Sequence, residues 1–260
     1  MKSEEMKSTE KLSPYSAPAL SRGLRILEFL SSSAMSKTTQ EIATELGRNR
    51  NEVFRMIAVL EVEDYLCKGA DGIGYVLSGK LLELGLTTPK ISDILEAITP
   101  LATELTLNTG APCHLALPSR DEMIVLKRWE PKFRLSINVP VATRRSLEIT
   151  ASGIVMLCSM SPAELALTIS SIQERYSNFS VQDLEPHQSE LKRNGVLQFN
   201  SKLIDGVVDL SVPLISQGGQ LHGALTVPYA NNATCDSSIE EISNMLKSVS
   251  QRISKMLIRP

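Results

Sequence analysis

Three stretches near the start of the chain repeat apolar residues every three or four positions, the spacing that puts them on one helix face. In the first, which runs from Leu20 to Leu30, the leucines at 20, 24, 27 and 30 are nearly in phase. The second and third follow Thr38 and Asn49. Alternating runs at 65–68 and 74–77 then flank a Gly-Ala-Asp-Gly turn, which is typical of a β-hairpin. Three helices followed by a hairpin predict a winged helix-turn-helix.

Capping residues indicate where the second and third helices begin and end. Thr38-x-x-Glu41 has the form of a capping box. Gly47 stands where the second helix should end, because glycine adopts the left-handed conformation of a helix end at little cost. Asn49 can cap the third helix. The apolar stripe of that helix is Val53, Met56, Ile57 and Leu60.

The opposite face of the third helix carries Asn51, Arg55 and Ala58, flanked by Arg50 and Phe54. Arginine suits phosphate, asparagine suits the edge of adenine, and an apolar group suits the thymine methyl. We interpret this face as one that binds double-stranded DNA; a merely solvated face is the alternative, and Phe54 fits the core better than a base contact. The predicted DNA contacts are Thr39, Arg48, Asn49, Arg50, Asn51, Phe54 and Arg55.

Beyond Gly110 strand-like and helical segments interleave, which predicts an α+β domain with a largely antiparallel sheet. Strands are predicted at 113–117, 123–129, 133–139, 207–215 and 221–227, and helices at about 150–160, 162–174, 183–194 and 237–257. A Gly218-Gly219 turn joins the last two strands as a hairpin. A long helix from about Ile91 to Leu107 precedes the sheet and contains Pro100, where we expect a kink or a restart.

Pro89 disfavours helix at the residue before it, so we place the domain boundary there. The predicted organisation is a disordered tail at 1–15, a winged helix-turn-helix at 16–80, a linker at 81–90 and the α+β domain at 91–260.

Composition is consistent with two globular domains: the chain has 260 residues, 42% hydrophobic and 22% charged. No apolar run approaches the roughly 18 residues of a membrane span, and the first residues do not form a signal peptide. Four scattered cysteines, without Cys-x-x-Cys spacing, indicate reduced thiols and a cytoplasmic protein. These are Cys67, Cys113, Cys158 and Cys235.

Charge gives no global indication of a nucleic-acid partner. The net charge is −2, and residues 1–88 contain 11 Lys and Arg against 12 Asp and Glu. Any field that attracts DNA is therefore local, around Arg48, Arg50 and Arg55, which only Glu52 opposes. A domain without a basic excess binds DNA weakly as a monomer, which favours a dimer.

Several residues of the second half could carry chemistry. Asp209 and Ser211 alternate on one strand and share a face, and a carboxylate in an apolar strand requires a partner, either Arg144 or a ligand. Cys113-His114 could belong to a metal site with Glu148 and Asp209, or to a nucleophilic pair. Because metal sites need three or four converging ligands and nothing near Cys113 resembles a nucleophile elbow, we predict no metal, cofactor or catalytic residue.

The chain resembles the IclR family of bacterial transcriptional regulators over nearly its whole length after residue 15. The amino-terminal half matches in "ALSRGLRILEFL", "TTQEIATELGRNRNEVFRMIAVLEVEDYL" and "DGIGYVLSGKLLELG". The second half matches in "GAPCHLAL", "VPVATRRSLEITASGIVML" and "GVVDLSVPLISQGGQLHGALTVPYA". The resemblance implies a winged helix joined to a GAF-like α+β domain that senses a small molecule, in dimers or in tetramers built from dimers.

The resemblance also implies site residues, some of which depart from the family pattern. Asn51 and Glu52 replace a common Ser-Thr pair, which implies a different operator, and Phe54 replaces a frequent His. Asp209 and Glu148 stand where many members have Cys and His, which favours a polyhydroxylated or amine-bearing effector over a simple carboxylate. The effector-binding residues implied are Arg144, Ser146, Glu148, Ala151, Ser152, Gly153, Asp209, Ser211 and Thr226.

The sequence therefore predicts a cytoplasmic, ligand-responsive regulator, with repressor favoured over activator, that controls a catabolic operon and binds a pseudo-palindromic operator as a dimer. Two alternatives stay open. One is a GAF-like enzyme that uses its acidic and Cys-His residues, and the other is a protein-interaction adaptor whose winged helix never contacts DNA.

Overall fold

The computed structural model describes residues 17–131, 137, 139–175, 178–230 and 237–257. The chain divides between Thr88 and Pro89 into two compact units. The predicted tail at 1–15 lies outside the described residues.

The first unit is a winged helix-turn-helix, as predicted. Its elements are α1 (Pro18–Ser31), α2 (Thr39–Glu45), α3 (Arg50–Val62), β1 (Leu66–Lys68), β2 (Tyr75–Leu77) and α4 (Lys80–Thr87). The Thr38–Glu41 capping box is present, and Gly47 has φ of +59° just after α2. The Asn49 side chain caps α3 by accepting from the amide of Asn51 at 2.8 Å. Helix α4 occupies most of the segment that we predicted as a linker.

The core of this unit forms where the first three helices meet. Ile26, Ile42 and Ile57 are fully buried there, with Leu66 of β1 beneath them. The stripe predicted for α1 is only half correct, because Leu20 and Leu24 are 64% and 51% exposed. The apolar spacing correctly predicted a helix, but Ile26, which was not part of the predicted stripe, determines which face of that helix is buried.

The hairpin is held to the body of the unit by backbone and side-chain contacts. Lys37 pairs with Tyr75 as an antiparallel bridge, so the segment before α2 extends the two-stranded sheet. Asp71 at the turn accepts from the Ser36 hydroxyl at 2.6 Å and from two backbone amides at 3.0 Å. A Cβ on Gly69 or Gly74 would lie within 2.7 Å of the Ser36 Cβ, so the close approach requires glycine.

The second unit is the predicted α+β domain. Its helices are α5 (Pro89–Thr109), α6 (Ala151–Ser159), α7 (Pro162–Gln173), α8 (Glu185–Asn194) and α9 (Ile239–Met256). Its strands are β3 (Cys113–Ser119), β4 (Glu122–Trp129), β5 (Arg144–Ser146), β6 (Leu197–Asn200), β7 (Val207–Ile215) and β8 (Leu221–Ala230). They form one antiparallel sheet in the order β5-β4-β3-β8-β7-β6.

Three details differ from the sequence prediction. Strands β5 and β6 were missed, because each is only three or four residues long and carries no clear alternation. Helix α5 continues through Pro100 without a restart. The predicted strand at 133–139 lies mostly outside the described residues, and residues 137 and 139 are not in a strand.

Two layers of helices cover the two faces of this sheet. On one face α5 and α9 bury Ile98, Leu105 and Leu246 against the strands. On the other face α6 lies across β7 and β8 and buries Ile154 and Val155. The start of α6 is fixed by a close backbone approach, since a Cβ on Gly153 would lie 2.1 Å from the Leu147 carbonyl oxygen.

No described helix combines the length and the apolar character that crossing a membrane requires. Within the described residues Cys67, Cys113 and Cys158 are free thiols, and Cys235 lies outside them.

We expect Gly153→Ala to destabilise the second unit by at least about 2 kcal/mol, because the new methyl group would displace the backbone at Leu147. Trp129 is the only tryptophan of the chain and lies in the core of this unit, so its fluorescence follows the unfolding. Gly218→Ala is the matched control, since its Cβ would meet nothing closer than the Ser216 hydroxyl at 3.9 Å. Equal denaturation midpoints for the two variants would contradict this account.

Candidate functional site

Helix α3 presents a polar face to solvent. Arg48, Asn49, Arg50, Asn51 and Arg55 are all exposed, while Val53 and Ile57 on the opposite face are buried. Thr39, the first residue of α2, is half-buried. The structure therefore leaves the predicted recognition face accessible over its whole length.

The arginines of this face are available to a partner. Within the described part of the chain, none of Arg48, Arg50 and Arg55 forms an ion pair. Glu52, the acidic residue that opposes them in the sequence, is ion-paired with Arg22 of α1. Because that pair compensates the carboxylate, the α3 face presents its three exposed arginines to a partner although the chain as a whole is slightly acidic.

The sequence favoured a position in the core for Phe54, and the structure shows that this prediction is wrong. Its side chain is 55% exposed, because the buried face of α3 is set by Val53 and Ile57 and leaves position 54 outside. An exposed aromatic ring on the polar face is available for an apolar contact.

The second unit contains a cavity of about 400 Å³ between the sheet and the start of α6. That volume lies within the range of small-molecule sites. Of the predicted effector-binding residues, Ala151, Ser152, Asp209 and Thr226 line it. Its other lining residues are His114, Met123, Ile137, Val139, Pro140, Thr143, Arg145, Thr150, Ser201, Leu203, Ile204, Val207 and Pro228.

A row of buried hydroxyl groups forms the floor of this cavity. Thr226 on β8 lies opposite both His114 on β3 and Ser211 on β7. Its hydroxyl is 2.7 Å from that of Ser211 and 2.8 Å from that of Ser152, which in turn lies 3.3 Å from Nε2 of His114. Ser211 thus supports the floor without lining the cavity.

Asp209 is the carboxyl group of the cavity. Burial raises its pKa to about 6, although a hydrogen bond from the Ser201 side chain acts in the opposite direction. Burial also lowers the pKa of His114 to about 4, so that the imidazole is neutral at physiological pH. The cavity lining therefore combines one titratable acid, the neutral hydrogen-bonding groups of the floor and the exposed guanidinium group of Arg145.

Four of the predicted effector-binding residues besides Ser211 lie off the cavity wall. Arg144 points to the exposed surface and binds Glu122 at 2.9 Å, so it does not pair with Asp209. Ser146 donates to the buried Glu148 carboxylate. Gly153 packs against the Leu147 backbone. Their positions are consistent with supporting the cavity wall rather than with contacting a bound ligand.

Arg145, Ser201 and His114 line the cavity but were not predicted from the sequence to do so. Arg145 follows Arg144 in a strand too short to reveal which side chain faces inward. Ser201 lies in the loop after β6, a strand that was also missed. His114 was considered from the sequence as part of a metal site or of a nucleophilic pair, and the pairing of β3 with β8 is what brings it beside Thr226.

Cys113 is unsuited to nucleophilic chemistry. Its side chain is buried beside Thr106, at 3.4 Å from the hydroxyl, and burial raises the pKa of the thiol to about 12. The thiolate, which is the nucleophile, is therefore not populated. Among the described residues no group of three or more His, Cys, Asp or Glu side chains could hold a metal ion.

Comparison with known families decides what these two units are. Residues 19–68 match the IclR helix-turn-helix domain, and residues 88–255 match the bacterial transcriptional regulator IclR C-terminal domain. The chain belongs to the IclR family. It is accordingly a transcriptional regulator with a DNA-binding helix-turn-helix domain and a ligand-binding second domain, and members of this family are not enzymes.

Individual relatives are distant. The chain is 20% identical to the transcriptional regulator KdgR of Escherichia coli over 221 residues, 84% of each protein. It is 24% identical to the transcriptional repressor AllR of the same organism over 149 residues, 57% of this chain and 55% of AllR. It also superposes on an IclR homologue of Microbacterium hydrocarbonoxydans complexed with 4-hydroxybenzoate, with a TM-score of 0.73, 18% identity and coverage of 92% and 98%.

We expect Asp209→Asn to stabilise the second unit at about pH 8 and to have little effect at about pH 4. Because the pKa of Asp209 is higher in the folded state, ionisation of this carboxyl group lowers the free energy of unfolding. This loss of stability is absent below the pKa of the unfolded state, 3.8, and grows to about 3 kcal/mol as the pH rises through 6. Denaturant unfolding followed by Trp129 fluorescence measures it.

Asp205→Asn is the control, because this exposed neighbour removes the same charge outside the cavity. A stability gain for Asp209→Asn that is independent of pH, or one matched by Asp205→Asn, would contradict the assigned cause.

Proposed function

We propose that this protein is a cytoplasmic repressor that binds a pseudo-palindromic operator as a dimer and releases it when a small effector occupies the cavity of the second unit. The observation that carries the proposal is the exposed face of α3, with its three arginines and Asn51, in a member of a DNA-binding family. The name of the relative AllR, a repressor, supports the sign of regulation. We infer that the operon it controls is catabolic, and a cavity able to hold a small molecule is consistent with that role.

The contacts that we assign to DNA are Thr39, Arg48, Asn49, Arg50, Asn51, Phe54 and Arg55. The arginines suit phosphate oxygens, because their guanidinium groups are exposed and have no acidic partner within the described chain. Asn51 suits an adenine edge in the major groove, and Phe54 suits a thymine methyl. Phosphate contacts supply affinity for DNA of any sequence, whereas contacts of Asn51 and Phe54 with the bases supply preference for the operator sequence.

Dimerisation is supported by an apolar groove on the first unit. Its volume is about 540 Å³, and it lies between α1, α3 and α4, with Leu20, Leu24, Val59, Leu81 and Leu84 among its lining residues. Helix α4 has no buried residue although it is rich in leucine. A second copy that covers this groove would remove the exposed apolar surface, and a tetramer would pair two such dimers. Two copies are what a pseudo-palindromic operator with two half-sites requires.

The effector role is supported by the cavity in the second unit. The related structure that holds 4-hydroxybenzoate has the same fold, so a small organic molecule is a reasonable class of occupant. Coupling between effector and operator in such proteins typically amounts to about 1–3 kcal/mol, or roughly 5- to 150-fold in affinity.

The first test is retention of genomic DNA fragments by the purified protein at two salt concentrations, followed by sequencing. Enrichment of a few palindromic sites, with weaker retention at the higher salt, is the expected result, because phosphate contacts release counterions. Retention of no fragment even at low salt would overturn the proposal and favour the adaptor alternative.

We expect Arg55→Ala to weaken binding on specific and random DNA alike and to reduce the slope of log affinity against log salt by about 1. Asn51→Ala should instead reduce discrimination between operator and random DNA by about 1–3 kcal/mol. Fluorescence anisotropy titrations on both duplexes measure these effects. Arg252→Ala is the control, since Arg252 is paired with Glu104 in the second unit. An unchanged salt slope for Arg55→Ala would exclude the proposed docking of α3.

We expect the double change Leu20→Glu and Leu84→Glu to convert the dimer to a monomer, because two carboxylates would have to be buried in the apolar groove. Light scattering after size-exclusion chromatography gives the mass, and operator affinity should fall with it. Leu167→Glu is the matched control, on an exposed leucine of α7 outside the groove. A double variant that keeps the dimer mass would show that the copies associate elsewhere.

A further inference from the structure

Asp209 is a carboxyl group whose hydrogen-bonding capacity is largely unused. It lies on β7 between Phe199 of β6 and Pro228 of β8, neither of which has a polar side chain. Among the described residues its side-chain hydrogen bond comes from Ser201. Two carboxylate oxygens can accept about four hydrogen bonds, so most of this capacity faces the cavity.

The other groups of the cavity do not compensate this carboxylate. Arg145 is exposed, and its guanidinium donates to the backbone oxygen of Arg144 at 2.8 Å. His114 is neutral, because burial lowers its pKa to about 4. The hydroxyls of Ser152 and Thr226 bond to each other at 2.8 Å. Within the described lining, therefore, no cation is paired with Asp209.

The walls around Asp209 are mostly apolar. Met123, Val139, Leu203, Ile204 and Val207 all line the cavity and offer no side-chain donor or acceptor. The polar groups of the cavity lie on its hydroxyl floor, so a polyhydroxylated ligand would leave without partners those of its hydroxyls that face these apolar walls. Of the two ligand classes that the sequence left open, the structure favours the amine.

We propose that the effector of this protein is a small amine whose ammonium group binds Asp209 while its apolar body fills the cavity. This inference rests on the proposed effector role of the cavity. An ammonium group supplies the positive counter-charge and the N–H donors that the half-buried Asp209 carboxylate does not find among the described lining residues. A purely anionic ligand would instead place a like charge near the Asp209 carboxylate, which is unfavourable in a partly desolvated site.

The experiment compares matched probes on the full chain. Benzylamine, benzyl alcohol and benzoate share a ring and differ in the charge of one group, and n-butylamine, butan-1-ol and butyrate form a second set. Saturation-transfer NMR titrations at neutral pH and constant ionic strength give the relative affinities. We expect each amine to bind at least about tenfold more tightly than its alcohol or carboxylate.

Two variants test whether Asp209 is the cause. Asp209→Asn should remove the preference for amines, whereas Asp205→Asn, which loses the same charge outside the cavity, should retain it. Unfolding followed by Trp129 fluorescence establishes that both variants are folded.

Tighter binding of the carboxylates, amine binding that survives Asp209→Asn, or the absence of amine binding to the folded protein would each overturn the inference. If operator fragments are still retained in that case, the proposed function stands and only the class of effector is wrong. Loss of operator retention by the unliganded protein would instead overturn the proposed function, whatever the amines do.

Discussion

A short row of hydrogen-bonded groups between helix α6 and the central strands is the interaction on which the second unit depends. Thr226 takes part in bonds to Ser211 and Ser152, and Ser152 reaches His114. All four residues are buried, so removing one hydroxyl would leave its partners unsatisfied at a cost of about 1–3 kcal/mol. This row fixes α6 over the sheet, and the cavity is the space that remains between them.

The two functional surfaces of the protein impose opposite requirements on charge. The α3 face needs accessible guanidinium groups, and the pairing of Arg22 with Glu52 removes the nearest competing carboxylate. The cavity instead half-buries Asp209, and this partial burial raises its pKa to about 6 and makes a counter-charge favourable. A net charge of −2 therefore conceals a positive surface on one unit and an acidic cavity in the other.

Buried polar residues that do not touch the cavity still determine its shape. Glu148 accepts from Ser146, and Lys202 donates to the Glu148 backbone oxygen at 3.4 Å, which ties the loop after β6 to the turn before α6. Gly153 allows the Leu147 carbonyl to approach α6. Ser146, Glu148 and Gly153 were expected to contact the effector because the family resemblance implied it, and in the structure they lie off the cavity wall.

Local patterns in the sequence determined the elements of the first unit, because caps, turns and helix stripes depend on residues a few positions apart. Thr38, Glu41 and Gly47 all act as their spacing predicted. Asp209 could also be singled out, as a carboxylate in an apolar strand, whereas Thr226 was implied by the family resemblance. The sequence could not decide that Arg145 rather than Arg144 lines the cavity, or that His114 lies opposite Thr226. Those facts depend on strand register and on pairing between residues more than 100 positions apart, which only the tertiary structure fixes.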